Sequence, residues 1–296
     1  MSGMSEQRQG ESQGSEGLGR RRHGESRPWR RFWVLVAALA MIAGAALLEA
    51  DSLCLVFDGI SNYVELDNGA DFSVPTTGAL TVSAWMRPDT FDYGTGYVHW
   101  LGKGTGSGPS GQQEWTFRLY SQNYPTVGQR KSVSFYVFNP DGGLGVGSKF
   151  VDDLQPGQWI HVVGMIDGQH TYIYKNGVFR QCNNYLGDTS DTACRPYCPN
   201  GNCLQITPQQ GLAPVRMGTR DDITDRSTYF AGGLTKVRVW NRLLSDPEIL
   251  ALYTSDQVPQ DRLVAEYLLN SYTGSVAVDS TGHHNGTIFG ATFQPQ

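Results

Sequence analysis

The sequence predicts an all-β fold, a sandwich of two antiparallel sheets, on three observations. The 296-residue chain is rich in glycine, with 36 glycines, and 11% of its residues are aromatic. Thr and Val recur in short runs bounded by Gly, Asn, Asp and Pro, a pattern typical of strands joined by turns. Asn176-Gly177 is a strong signal for a tight hairpin turn. We therefore expect one large β domain with a short additional element.

An N-terminal targeting segment is predicted before this domain. Residues 1–31 carry seven arginines and four glutamates with almost nothing to bury, which predicts a disordered basic leader in the cytoplasm. Phe32–Leu48 is an uncharged apolar run, and a basic flank before such a run directs the downstream chain across the membrane. Its length lies between a signal-peptide core and a minimal membrane-spanning helix. We expect a hydrophobic helix over 32–50, either a cleaved signal peptide or a membrane anchor, and an extracytoplasmic domain over 51–296.

Cysteine usage agrees with export. Four cysteines lie within a polar segment that we interpret as a disulfide-rich insert over 181–204, namely Cys182, Cys194, Cys198 and Cys203. Four cysteines allow three pairings, and the sequence does not choose among them. The alternative of a zinc site lacks the paired C-x-x-C spacing of structural zinc. Cys54 is left over and is expected to be a buried, small apolar residue.

Short apolar runs predict the strands in order, and one segment predicts a helix. Ser245 and Glu248 form a capping box, with Pro247 tolerated in the first turn, so a helix should begin there and end near Ser255. The predicted strands are Cys54–Phe57, Tyr63–Leu66, Ala79–Met86, Val98–Gly102, Glu114–Tyr120, Ser132–Phe138, Trp159–Ile166, Thr171–Lys175, Val215–Gly218, Leu234–Trp240, Leu263–Leu269 and Gly286–Phe293.

Five sequence blocks resemble laminin-G-like and pentraxin domains. They are LVFDG with NYVEL (Leu55–Gly59, Asn62–Leu66), LTVSAWMRPD (Leu80–Asp89), QWIHVVGMIDG (Gln158–Gly168), YIYKNGV (Tyr172–Val178) and GGLTKVRVWNRLLSDPEI (Gly232–Ile249). The resemblance implies a concanavalin A-like jelly roll of two antiparallel sheets. Leu263–Phe293 resembles the segment that usually precedes the FDG strand in this family. A tail of this length cannot bury a core alone, so we expect it to fold beside the first strand, as in a circular permutation.

Charge and acid placement limit the function classes. From Asp51 onward, 23 acidic residues face 16 Lys and Arg, which does not suit a phosphate-binding surface and excludes nucleic acid as a partner. Retaining glycosidases need two carboxylates close together across the sugar. The adjacent pairs Asp152-Asp153 and Asp221-Asp222 would point in opposite directions if extended. His161 lies where the family often carries a histidine after its tryptophan, and we interpret it as structural.

Calcium is a possible cofactor by resemblance. Family members often hold the ion through an aspartate near the FDG turn, and Asp58 is the matching residue, with Asp221 and Asp222 as weaker contributors. Hard cations prefer such oxygen ligands from loops. Where relatives often carry Ile-Asp-Asp in the closing strand, this chain has Leu234-Thr235-Lys236, which puts an acidic site at that edge in doubt.

Strand alternation predicts a ligand platform. If the strands around 114–120, 132–138 and 171–175 are neighbours, their outward faces align six residues: Arg118, Tyr120, Tyr136, Phe138, Tyr172 and Tyr174. Aromatic rings in a row stack against sugars, and an exposed apolar patch marks a binding site. The alternative is that the insert or a loop covers this face and the rings pack as a second layer.

The predicted function is an extracytoplasmic, non-catalytic module that binds a glycan or other cell-surface ligand, secreted or held at the membrane through residues 32–48. Two alternatives remain: a glycosidase or lyase acting on polysaccharide, and a structural module for protein partners. The first would need a carboxylate pair assembled from different strands.

Overall fold

A computed structural model describes residues 53–67, 69–104, 113–139, 145–220, 229–270 and 274–296. The predicted leader over 1–31, the apolar segment 32–50, Asp221 and Asp222 lie outside the described residues. Within them, no helix is both long and apolar enough to cross a membrane. The predicted all-β sandwich of two antiparallel sheets with one short C-terminal-side helix is confirmed.

Sixteen strands are described, and with them two α-helices. The strands are β1 (Leu53–Asp58), β2 (Tyr63–Glu65), β3 (Leu80–Pro88), β4 (Tyr97–Lys103), β5 (Trp115–Tyr120), β6 (Val133–Val137), β7 (Val146–Phe150), β8 (Ile160–Ile166), β9 (His170–Lys175), β10 (Val178–Asn184), β11 (Val215–Met217), β12 (Ala231–Trp240), β13 (Leu263–Tyr267), β14 (Val276–Ala277), β15 (Gly286–Phe289) and β16 (Thr292–Pro295). The helices are α1 (Val74–Thr77) and α2 (Asp246–Ser255), and short 3-10 turns lie at Ala70–Phe72, Val127–Gln129 and Pro199–Gly201.

The strands form two antiparallel sheets. Sheet A has the order β10-β9-β8-β3-β12-β1-β16, and sheet B has the order β14-β15-β2-β11-β4-β5-β6-β7. In sheet A, β12 pairs with β3 along one edge. Along its other edge, the first part of β12 pairs with β1 and the second part pairs with β13. The change of partner coincides with a break in register between Thr235 and Arg238, where Lys236 has φ 50. Such a bulge lets one long strand serve two neighbours.

The core lies between the sheets, as the alternation of apolar residues requires. Phe117 and Phe135 from sheet B pack against each other with ring centroids 4.4 Å apart and the ring planes tilted by 35°. Opposite them in sheet A is Gly164, where an added Cβ would lie 2.5 Å from the Phe135 ring and 2.7 Å from that of Phe117. The absence of a side chain at this position therefore lets two large rings fill the space between the layers.

Helix α2 covers part of the outer face of sheet A. Its capping box is present, with the Ser245 backbone N–H donating to the Glu248 carboxylate at 2.8 Å, and the helix ends at Ser255 as predicted. Asp256 follows in the left-handed conformation that terminates helices. A second apolar cluster under the helix contains Val163, Met165, Tyr174, Trp240, Leu244, Ile249 and Leu252.

The C-terminal tail, residues 263–296, contributes strands to both sheets. The prediction that it folds beside the first strand is confirmed. β16 pairs with β1, placing Phe293 opposite Leu55. β15 pairs with β2, placing Ile288 opposite Val64. The predicted single strand over Gly286–Phe293 is instead two strands in different sheets, because Gly290 turns the chain between them with φ 73.

The four clustered cysteines form two disulfides, Cys182–Cys194 and Cys198–Cys203. Cys54 is free and fully buried, as expected. The first disulfide joins the end of β10 to the loop that follows it, and the second closes a shorter loop farther along. Both restrain a segment that has few buried apolar residues of its own.

Candidate functional site

The outer face of sheet B brings four of the six predicted platform residues together. Arg118 and Tyr120 come from β5, Tyr136 comes from β6, and Phe138 directly follows β6. Register places Arg118 opposite Ser134 and Thr116 opposite Tyr136, so these side chains share one face. Arg118 and Tyr136 are partly exposed, whereas Tyr120 and Phe138 are only 3% and 2% exposed. Tyr120 and Phe138 therefore pack beneath and beside Arg118 and Tyr136.

Tyr172 and Tyr174 do not belong to this face, and the prediction that they join it is wrong. They lie on β9 in sheet A, and the neighbour of β6 is β7. The Tyr174 hydroxyl donates to the Asp246 carboxylate of helix α2 at 2.7 Å, and the Tyr172 hydroxyl donates to Asp167 at 3.0 Å. Burial and the Asp246 hydrogen bond raise the pKa of Tyr174, which remains protonated. Alternation along a strand assigns a residue to a face but not to a sheet.

A cleft of about 370 Å³ opens on the outer face of sheet B. We call it the Arg118 cleft. Its lining includes three of the predicted residues and several that sequence reasoning missed. The lining residues are Tyr97, Arg118, Tyr120, Tyr124, Gln129, Tyr136, Gly145, Gly147, Lys149, Gln181, Asn183, Pro196 and Tyr197.

Two glycines, Gly145 directly before β7 and Gly147 within it, let the aromatic rings lie across the neighbouring strand. A Cβ added to Gly147 would lie 2.6 Å from Cγ of Tyr136, and one added to Gly145 would overlap the Phe138 ring. A side chain at either position would push the rings out of the floor of the cleft. The two glycines are two residues apart and therefore lie on the same outward face. This spacing in the sequence could have indicated a surface on which aromatic rings lie across the strand.

Arg118 is caged by aromatic rings. Its Cζ lies 4.4 Å from the ring centroid of Tyr97, 4.7 Å from that of Tyr136 and 5.0 Å from that of Phe138. Guanidinium groups are attracted to the negative faces of such rings. Burial raises the pKa of Tyr136, whose hydroxyl lies 3.3 Å from that of Tyr120, so Tyr136 stays a neutral hydrogen-bonding group.

The disulfide-rich insert supplies one wall of the cleft. Pro196 forms a bridge to Asn184 at the end of β10, and Tyr197 beside it is 51% exposed. The disulfides on either side of these residues fix the insert against the domain. The insert thus borders the cleft with an accessible ring while the cleft itself stays open.

Amide side chains from β10 complete the lining and tie the two sheets together at this edge. Gln181 Oε1 accepts a hydrogen bond from the Lys149 backbone N–H at 2.7 Å, and Asn183 Nδ2 donates to the Gly147 carbonyl at 2.5 Å. These contacts hold the amides beside the rings. A cleft with rings, amides and a cation can hold a polar ligand that also has apolar faces.

Asp58 caps a turn. Its Oδ1 accepts hydrogen bonds from the backbone N–H groups of Ile60, Ser61 and Asn62 at 2.8, 2.9 and 3.1 Å. Although burial opposes it, these bonds hold the pKa of Asp58 below its usual value. Oδ1 is thereby occupied, whereas Oδ2 accepts one bond from the Ser61 hydroxyl at 3.4 Å and keeps a lone pair that a cation could use. Among the described residues, no group of three His, Cys, Asp or Glu side chains is placed to hold a metal ion.

Calcium binding through Asp58, with Asp221 and Asp222 as weaker contributors, therefore stays a prediction, since the last two residues lie outside the described residues. If the ion binds the folded domain, adding EDTA to calcium-loaded protein should lower the midpoint of thermal unfolding, because a ligand specific for the native state stabilises it. An unchanged midpoint, with a matched magnesium control, would count against the ion.

Two further sequence features have structural roles. Asp152 binds both Arg180 and Lys175 through its carboxylate, and the Arg180 hydrogen bond is the main reason that its pKa falls to about 2. His161 is fully buried, with Nε2 2.9 Å from the Ser83 hydroxyl, and burial lowers its pKa to about 4. It is therefore a neutral residue at physiological pH, in keeping with the structural interpretation.

Comparison with solved structures finds several that are similar to this chain. A candidate carbohydrate-binding protein from Bacteroides ovatus is 20% identical with a TM-score of 0.53, and the match covers 82% of this chain and 60% of that protein. The heptameric SAP-like pentraxin of Limulus polyphemus is 14% identical with a TM-score of 0.49, covering 81% of this chain and 97% of the pentraxin. Domain 4 of the extracellular arabinanase AbnA from Geobacillus stearothermophilus, solved with arabinotriose, is 16% identical with a TM-score of 0.41, covering 68% and 76%.

No curated protein matches the chain significantly in sequence. The chain spans 60% of the length of the Bacteroides ovatus protein, so the likeness concerns the sandwich alone. The sequence profile of the laminin-G type, described as the concanavalin A-like lectin/glucanases superfamily, matches residues 58–250. The chain therefore belongs to the concanavalin A-like lectin/glucanase superfamily.

Proposed function

We propose that this chain is an extracytoplasmic, non-catalytic module that binds glycans in the Arg118 cleft. The observation that carries the proposal is the set of accessible rings around the cleft, from Tyr97, Tyr136 and Tyr197. Flat aromatic faces match the C–H faces of a sugar ring, and the amides of Gln181 and Asn183 beside them match its hydroxyl groups. The carbohydrate binding given in the name of the Bacteroides ovatus relative agrees with this assignment.

Two features support the location outside the cytoplasm. The disulfides Cys182–Cys194 and Cys198–Cys203 are of a kind that forms and persists in oxidising compartments. The basic flank and apolar run over residues 32–48 predict export, and the domain would then be secreted or held at the membrane by that run.

Substitutions at the cleft test the proposal. A glycan array probed with residues 51–296, with and without calcium, identifies the oligosaccharides that are retained, and titration calorimetry gives their affinities. Tyr136→Ala and Tyr197→Ala should each weaken binding about tenfold or more, because an aromatic anchor at a binding site contributes about 1–2 kcal/mol or more. Tyr197 is already half exposed, so its removal should leave the thermal midpoint unchanged.

Tyr172→Ala is the matched control. It removes an equivalent ring from sheet A and should leave glycan affinity unchanged. Retention of every glycan by both cleft variants, or loss of binding only with Tyr172→Ala, would place the site elsewhere. Release of new reducing ends from a bound oligosaccharide would favour the polysaccharide-active enzyme instead.

A further inference from the structure

The cation at the centre of the cleft lacks a partner within the described part of the chain. Arg118 lies in the middle of β5 and is partly exposed to the cleft, with its guanidinium among three rings. None of its nitrogens donates a hydrogen bond to a residue that the structure describes, and Nε is buried without a partner. Buried or half-buried arginines are ordinarily paired with a carboxylate, since a desolvated charge is costly. The rings hold this cation in position without using its hydrogen-bonding groups.

Among the residues that the structure describes, the charges around Arg118 leave the cleft positive. The other ionised residue in its lining is Lys149, whose ammonium has one long contact, 3.5 Å to the Gly128 carbonyl, and whose pKa burial lowers. Behind Arg118, His99 is fully buried, and burial together with the nearby Arg118 and Arg220 keeps its pKa far below the usual value. His99 is therefore neutral and adds no charge of its own. Asp and Glu do not occur in the described lining of the cleft.

This positive cleft stands out against the acidity of the domain. From Asp51 onward the chain carries 23 acidic residues and 16 basic ones. Two acidic residues that follow β7 contact other cations: Asp152 binds Lys175 and Arg180, and Asp153 binds Lys131 at 3.5 Å. A positive concave site in an otherwise negative surface concentrates anionic ligands there.

We propose that the Arg118 cleft selects acidic glycans, with the carboxylate of a uronic or sialic type of sugar on the Arg118 guanidinium and the sugar ring against the tyrosines. The inference rests on the proposed glycan-binding function. A guanidinium is a planar fork of donors that matches a carboxylate in two parallel hydrogen bonds, which an ammonium cannot do. Lys149 adds a second positive charge near the same anion. The Gln181 Nε2 and Asn183 Oδ1 atoms, which have no hydrogen-bond partner among the described residues, remain for the hydroxyl groups.

Matched pairs of oligosaccharides test the selectivity on the unmodified domain. Tetragalacturonic acid is compared with its methyl ester, and sialyllactose with its own methyl ester, so that each pair differs in the carboxylate alone. Titration calorimetry should show the acid of at least one pair bound about tenfold or more tightly than its neutral partner, as expected for a charge-assisted bidentate contact. The advantage should shrink as salt rises, because the attraction is partly screened.

Variants then assign the effect to Arg118. Arg118→Gln should abolish the preference for the acid, and Arg118→Lys should retain part of it, since the charge stays while the fork is lost. Both variants are first compared with wild type by thermal unfolding, and the wild-type comparison of acid with ester stands even if a variant fails to fold.

The outcomes separate this inference from the proposed function. Equal affinity for acid and neutral partner in both pairs, with glycans still bound in the cleft, would overturn the selectivity and leave the glycan-binding function intact. Tighter binding of a sulfated oligosaccharide than of either acid would overturn the carboxylate assignment. Failure to retain any glycan would overturn both proposals.

Discussion

A chain that ends at residue 262 should fail to fold cooperatively. The tail provides β13, β15 and β16, which pair with β12, β2 and β1, so its loss leaves each of these three strands without one of its hydrogen-bonded partners. It also contributes four large buried side chains to the core: Val264, Tyr267, Leu269 and Ile288. At roughly 1.5–3 kcal/mol for each buried side chain, their loss is comparable to the whole stability of an ordinary domain, about 5–15 kcal/mol.

Thermal unfolding followed by circular dichroism measures this effect. Residues 51–296 should show one cooperative transition, and residues 51–262 should show none. Adding the tail as a separate peptide of residues 263–296 should restore part of the transition, because the paired strands can form between chains. A truncated protein with an unchanged midpoint would mean that the tail is an appendage and would contradict the observed topology.

The second large effect concerns a buried ion pair at the start of β5. Lys103 Nζ lies 2.9 Å from the Glu114 carboxylate, and the two side chains are 0% and 2% exposed. The Ser73 hydroxyl donates to Glu114 at 2.6 Å, and Lys103 donates to the Ala213 carbonyl at 2.9 Å. Glu114→Ala would leave the Lys103 ammonium buried without a counter-charge and should lower the free energy of unfolding by about 3–5 kcal/mol.

Replacing the pair as a whole is the control. Lys103→Met with Glu114→Leu removes both charges and keeps the volume, and such replacements are often close to neutral. Urea unfolding at neutral pH should therefore show the single variant less stable than the double variant. If the double variant is the less stable of the two, the pair contributes net stability and the cost of a stranded charge is not the controlling effect.

Local patterns predicted the faces of the strands in sheet B. Phe117 and Phe135 point inward and Arg118 and Tyr136 point outward, as the two-residue period of β5 and β6 requires. The capping box at Ser245 likewise placed the beginning of α2 correctly. These features depend on residues near one another in the chain, which is why the sequence alone was sufficient.

Features that depend on distant pairing were not predictable in the same way. β7 was missed because its inward face carries the polar Ser148 between Val146 and Phe150, and without it β9 was assigned as the neighbour of β6. Tyr124 and Tyr197 lie in irregular segments, where no period indicates a direction. Their place at the cleft results from how the insert and the 3-10 turn at Val127–Gln129 pack against sheet B.

Mapping a bound glycan by amide NMR tests the central claim most directly. Residues 51–296 are titrated with the oligosaccharide that the array retains most strongly, and chemical-shift changes are recorded along the chain. The changes should cluster at Tyr97, Arg118 and Tyr197, with α2 and β9 unaffected. Changes centred on β9 under the helix, or on the Asp58 turn, would show that the ligand binds elsewhere and that the Arg118 cleft is not the binding site.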